Sequence, residues 1–158
     1  MQSPTNQTPL IVLDTNVCLD LFVFHDPRWT ILLTGLQNGS LKAITNRGCR
    51  DEWLAVLHYN HLPVTDENRP GIIAAFDKLI SCFEPDPSLN IKLPAGLSTA
   101  LPRCTDPDDQ QFMELARDGR ASYLITKDKA LLKCAKRVAN LGLFKILSPD
   151  VFLKSGIF

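Results

Sequence analysis

The sequence predicts a single α/β domain with a short, mostly parallel sheet of four to five strands and helices on both faces. Three observations carry this. The strand-like segments are brief, unbroken apolar runs, such as LIVL (10–13) and SYLIT (122–126), with no polar alternation. Such runs suit strands buried on both faces of a parallel sheet. These runs alternate with stretches of helical period, the pattern of successive βαβ units. No internal repeat, low-complexity tract or linker divides the 158 residues, a length that suits one domain.

The elements follow in order. Residues 1–9 are polar and proline-containing and are expected to be disordered; residues 10–158 form the folded domain. LIVL is the first strand, ending at Asp14, and a helix can begin near Asn16. Asp26-Pro27 opens a second helical segment, with proline at the first helical position after an acidic cap, running to Asn38-Gly39. SLKAIT (40–45) reads as the second strand. Trp53, Val56 and Leu57 recur at helical steps within 46–59. A further helix is expected over 66–83, where Ile72, Ile73, Phe76, Leu79, Ile80 and Phe83 share one face. The proline-rich stretch 84–105 reads mostly as loop. A helix then runs from Asp106 to Gly119, with Pro107 near its start and acids in its first turn. SYLIT is a strand, 129–141 a helix closed by Gly142, LFKIL (143–147) a last strand, and 149–153 a terminal helical turn.

Composition narrows the function classes. Seventeen basic and 17 acidic side chains cancel, so the whole molecule has no net pull on nucleic acid or anionic membranes. Five dispersed cysteines without a C-x-x-C pair argue against a disulfide framework or a structural zinc site. The N-terminal MQSPTNQTP lacks the basic and apolar regions of a signal peptide, and no run is long enough to cross a membrane. A cytoplasmic location is expected. No G-x-S-x-G, Walker A or G-x-G-x-x-G motif occurs. His58 and His61 read as a solvated helix end.

The carboxylates are the distinctive feature. Ligands of open α/β sheets bind beyond the carboxyl ends of the strands. Asp14 follows the first strand, Asp128 follows SYLIT, and Asp106, Asp108 and Asp109 begin a helix facing the same edge. Glu52 lies early in the helix after the second strand. Aspartate is also common at helix caps, which accounts for any one of these residues but less easily for their convergence. Two unit charges 5 Å apart repel by about 3 kcal/mol at an effective dielectric near 20. A cluster without a buried base takes up protons or cations, and an all-oxygen set favours Mg²⁺ or Mn²⁺. Two such ions can activate water and stabilise both oxygens of a phosphodiester displacement.

Four segments together resemble the PIN domain family, across about residues 10–153. VLDTNV (12–17) is similar to its opening strand and motif, EWLAVL (52–57) to its acidic helix, DPDDQQFMELA (106–116) to its second acidic helix, and LITKDKALL (124–132) to its last motif. The subgroup it looks like is the bacterial toxin group related to VapC. The resemblance implies a Mg²⁺- or Mn²⁺-dependent ribonuclease and an antitoxin partner, with a homodimer often found. Carried over by position, it assigns Asp14, Glu52, Asp109 and Asp128 as catalytic metal ligands, with Asp108 as the alternative third acid. Thr15, Asn16 and Thr126 would orient the carboxylates. Ala130 stands where many relatives carry another acid.

A ribonuclease must also hold phosphate, a task for Lys and Arg. Lys127 and Lys129 adjoin the acids, and Arg47 and Arg50 precede Glu52. Lys133, Lys136 and Arg137 fit a solvated helix face equally well. Trp53 and Tyr59 are expected to serve core or groove packing. Two other classes compete: a PIN-like module that binds RNA or protein without cutting it, and a haloacid-dehalogenase-like phosphatase. The phosphatase requires a second aspartate two residues after the first, where this chain has Asn16.

Overall fold

The structure, a computed structural model, describes residues 8–84, 101–104 and 106–158. The disordered start expected for 1–9 falls almost wholly outside these residues, as does most of the loop expected over 84–105. Five strands form one all-parallel sheet: β1 (Leu10–Leu13), β2 (Lys42–Thr45), β3 (Ile80–Cys82), β4 (Tyr123–Ile125) and β5 (Lys145–Leu147). Their order is β3-β2-β1-β4-β5, with β1 central. The chain winds outward from β1 in both directions, so the crevice beside β1 is the topological switch point where ligands of such sheets bind.

Helices cover both faces. One layer contains α1 (Thr15–Phe22), α2 (Thr30–Asn38), α3 (Arg47–Val56), α4 (Arg69–Leu79) and α8 (Pro149–Lys154). Ile11 and Leu13 of β1 face this side and pack with Leu21, Leu32, Trp53, Phe76 and Phe152. Val12 faces the other side, against Phe112, Met113 and Leu115 of α5 (Pro107–Asp118) and Leu131 and Val138 of α6 (Lys129–Lys133) and α7 (Ala135–Asn140). Successive strand side chains point to opposite faces. With both faces covered, the central strands β1 and β4 therefore carry unbroken apolar runs.

Two expectations need correction. The helix expected over 66–83 ends at Leu79; Ile80 is extended, with φ −121° and ψ 114°, and opens the edge strand β3. Ile80 and Phe83 continue the helical spacing by coincidence, while the backbone pairs Ala43 with Ile80 and Thr45 with Cys82. The helix expected over 129–141 is two short helices meeting at Cys134. The segment at 26–38 begins with a 3₁₀ turn (Pro27–Trp29) capped by Asp26, with α2 following.

Cys18, Cys49 and Cys134 are buried, Cys104 is half-buried and Cys82 is exposed on β3; all five are free thiols. Among the described residues no helix is long and apolar enough to cross a membrane.

Candidate metal centre

The central strands end at the acids. β1 continues one residue past Leu13, where the Asp14 amide donates to Ile125 O at 3.0 Å. Asp14 is thereby fixed at the switch point, and it also caps α1. Its Oδ1 accepts from the Thr15 amide and its Oδ2 from the Thr126 hydroxyl, both at 2.6 Å. Asp14 is 5% exposed. Burial raises its pKa, the Thr126 and Thr15 hydrogen bonds oppose that rise, and the negative charge of Asp128 adds to it.

Asp128 arrives from β4 through the same hydroxyl. Thr126 Oγ1 accepts from the Asp128 amide at 2.9 Å while donating to Asp14. The Asp128 carboxylate then caps α6, accepting from the Ala130 amide at 2.8 Å. Capping and a metal role do not compete, because an ionised carboxylate has about four lone-pair sites.

Asp109 comes from the opposite helix layer, in the first turn of α5, whose start is fixed by Pro107 and the Asp106 cap. It is 7% exposed. Its pKa is pushed up to about 7, first by burial and then by the charges of Asp128 and Asp14. One carboxylate oxygen each of Asp14, Asp109 and Asp128 lies within 4.8 Å of the others. Among the described residues no Lys, Arg or His forms an ion pair with any of the three. Three close carboxylates without a basic partner, all oxygen donors, suit a hard divalent cation.

Glu52 is placed differently. It extends from α3 into the same cleft, beyond the three-aspartate group, and its Oε2 accepts from Thr15 Oγ1 at 3.1 Å. Burial raises its pKa as well, the Thr15 hydrogen bond opposes this, and the charge of Asp108 contributes. Thr15 thus joins two acids, its amide held by Asp14 and its hydroxyl by Glu52. Asp108 is exposed, and its amide donates to the Asp106 cap. Asn16 Oδ1 accepts from the Lys127 amide at 3.3 Å, fastening α1 to the segment after β4.

The residue-level fit is reinforced by the comparison with known families. A PIN domain family model matches residues 10–130. The chain belongs to the PIN domain family. The matched span includes β1 through the start of α6 and all four acids. PIN domains are typically metal-dependent nucleases, and this member carries an aspartate cluster suited to hold a divalent metal. No curated protein matches the chain as a relative.

The basic residues divide into two pairs. Lys127 Nζ lies 2.6 Å from Asp20 Oδ2, and Arg50 forms a two-pronged bond with Asp77 at 2.9 and 2.8 Å. Arg47 and Lys129 are exposed. Asp20 is 7% exposed and also accepts from Trp29 Nε1 at 3.0 Å. Sequence reading gave Asp20 no role; a lone acid inside the apolar run of α1 was the available signal. Trp53 is core, stacked on Phe76 with ring centroids 5.1 Å apart. Tyr59 is 51% exposed and lines the acidic cleft.

Proposed function

We propose that this PIN domain protein is a metal-dependent endoribonuclease, acting in the cytoplasm as the toxin of a toxin–antitoxin pair. The observation that supports this most directly is the three-aspartate group at the switch point of a PIN domain chain, with Glu52 on the adjoining wall. Asp14, Asp109 and Asp128 would hold Mg²⁺ or Mn²⁺, which when bound supplies an activated water and charge neutralisation for phosphodiester hydrolysis. Thr126 keeps Asp14 and Asp128 in register, so their oxygens converge before any ligand arrives. Thr15 holds Glu52 toward the cleft, where its raised pKa suits it to take a proton from the attacking water. Arg47 and Lys129, both exposed, would hold backbone phosphates. An antitoxin would silence the site by placing an Arg or Lys among the carboxylates, supplying the positive charge they lack.

The test is cleavage of single-stranded RNA by the purified protein in Mn²⁺. Cleavage should vanish in EDTA and in Asp14→Asn. Undiminished activity in Asp14→Asn overturns the reading. Induced expression should arrest growth, and the Asp14→Asn protein should not; arrest by both would remove the toxin assignment.

A further inference from the structure

The cleft has two chemically distinct walls. Asp14, Glu52, Asp109 and Asp128 form one, while Leu19, Val56, Leu62, Tyr59 and His61 contribute to the other. Leu19 of α1 and Val56 of α3 floor the second wall, and the turn that follows α3 builds the rest of it. Leu57 is fully buried and anchors the turn, its carbonyl accepting from Arg69 Nε at 3.2 Å. The Tyr59 amide donates to Val56 O at 3.0 Å, and the Leu62 amide to Tyr59 O at 3.2 Å. Tyr59 therefore projects from a hydrogen-bonded turn, with half its surface exposed. Its ring centroid lies 5.7 Å from that of His61, the planes inclined by 38°. Two exposed rings over an apolar floor, in the cleft that holds the acids, are poorly explained as packing.

We propose that the Tyr59–His61 wall is a nucleobase-stacking subsite, which receives one unstacked base of single-stranded RNA next to the phosphate held at the acids. The inference rests on the ribonuclease reading and deepens it by naming the substrate's form. Three features favour a base as the occupant. The wall is apolar and aromatic beside a carboxylate set that repels an anion unless a cation intervenes, so what it favours is an uncharged, planar moiety. The whole cleft, acids included, holds about 260 Å³, less than the roughly 300–1,000 Å³ of pockets that enclose a drug-sized ligand, which suits one nucleotide rather than a folded segment. Aromatic faces stack on any base and discriminate little by sequence, whereas bases within a duplex are already stacked and cannot enter. The protein therefore selects unpaired RNA through Tyr59.

The experiment uses a single-stranded oligoribonucleotide carrying 2-aminopurine, with the full-length protein and Ca²⁺ in place of Mn²⁺. Stacking on Tyr59 should quench the fluorescence. Quenching should be lost in Tyr59→Ala and kept in Tyr59→Phe, which retains the ring. In Mn²⁺, Tyr59→Ala should raise KM by on the order of tenfold with kcat little changed, as expected from loss of one base stack. An oligonucleotide with abasic riboses should bind wild type and Tyr59→Ala alike. Equal quenching and equal KM in wild type and Tyr59→Ala overturn the subsite while leaving the nuclease intact. Tyr59-dependent quenching in a protein that cuts no RNA supports the subsite and removes the catalytic reading.

Discussion

The Thr126 hydroxyl donates to Asp14 Oδ2 at 2.6 Å across 112 residues of sequence and accepts from the Asp128 amide, so one oxygen sets the spacing of two acids. Thr126→Val keeps the volume and removes the hydroxyl. It should weaken Mn²⁺ binding by roughly 10- to 100-fold, the usual cost of losing a partner that orients a ligand. Calorimetric titration checks this, and unchanged affinity would show that Asp14 is positioned by its backbone alone.

Glu52 stands outside the three-aspartate group, so removing its charge separates binding from chemistry. Glu52→Gln should leave Mn²⁺ affinity largely intact and lower kcat by at least ~100-fold, within the range for a lost general base. Asp109→Asn should instead weaken Mn²⁺ binding itself. Metal titration beside single-turnover cleavage distinguishes the two; equal loss of affinity in both variants would place Glu52 among the ligands.

Stability should depend on pH in a direction set by Asp109. Its pKa rises from an ordinary 3.8 to about 7, so between these values the folded state holds a proton that the unfolded state releases. The associated stability is full below about pH 4 and is lost as pH rises through about 7. Asp14 and Glu52, also raised, act in the same direction. The melting temperature of the metal-free protein should fall over that window. Mn²⁺ requires the ionised carboxylates, so its stabilisation should be greater at pH 8 than at pH 5. At a concentration about 100 times its dissociation constant, the ion contributes roughly 2.7 kcal/mol, or about 5–10 °C. Thermal melts with and without Mn²⁺ at the two pH values test both signs.

Gly119 closes α5 where the helix end meets the sheet. A Cβ there would collide with Ile44 Cδ1 and approach Leu115 O at 3.0 Å. Ile44 is buried on β2 and has little room to yield. Gly119→Ala should therefore destabilise the protein by about 1–3 kcal/mol, the usual cost of overpacking. Urea unfolding measures it, with wild-type stability the contrary result.

Local patterns made much of this fold legible. The runs LIVL and SYLIT identified buried strands because a doubly covered sheet leaves no polar face. Asp106-Pro107 marked the start of α5, and the acids followed from their positions after strands and at helix starts. Other features depended on contacts distant in sequence. The edge strand at Ile80–Cys82 is formed by pairing with β2, and its short apolar run extends the stripe of α4. The engagement of Lys127 by Asp20 joins residues that no spacing rule relates. The choice between the neighbours Asp108 and Asp109 was more local: Asp109 lies three residues before the inward Phe112, and α5 turns it into the cleft while leaving Asp108 in solvent.

The 112-residue separation between Asp14 and Thr126 also bears on biosynthesis. The acid set closes only when β4 docks beside β1, long after β1 itself has been made. A nascent chain still missing residues 123–128 carries Asp14, Glu52 and Asp109 but has nothing to clamp or complete them. The metal site thus cannot assemble until β4 has been made and has paired with β1.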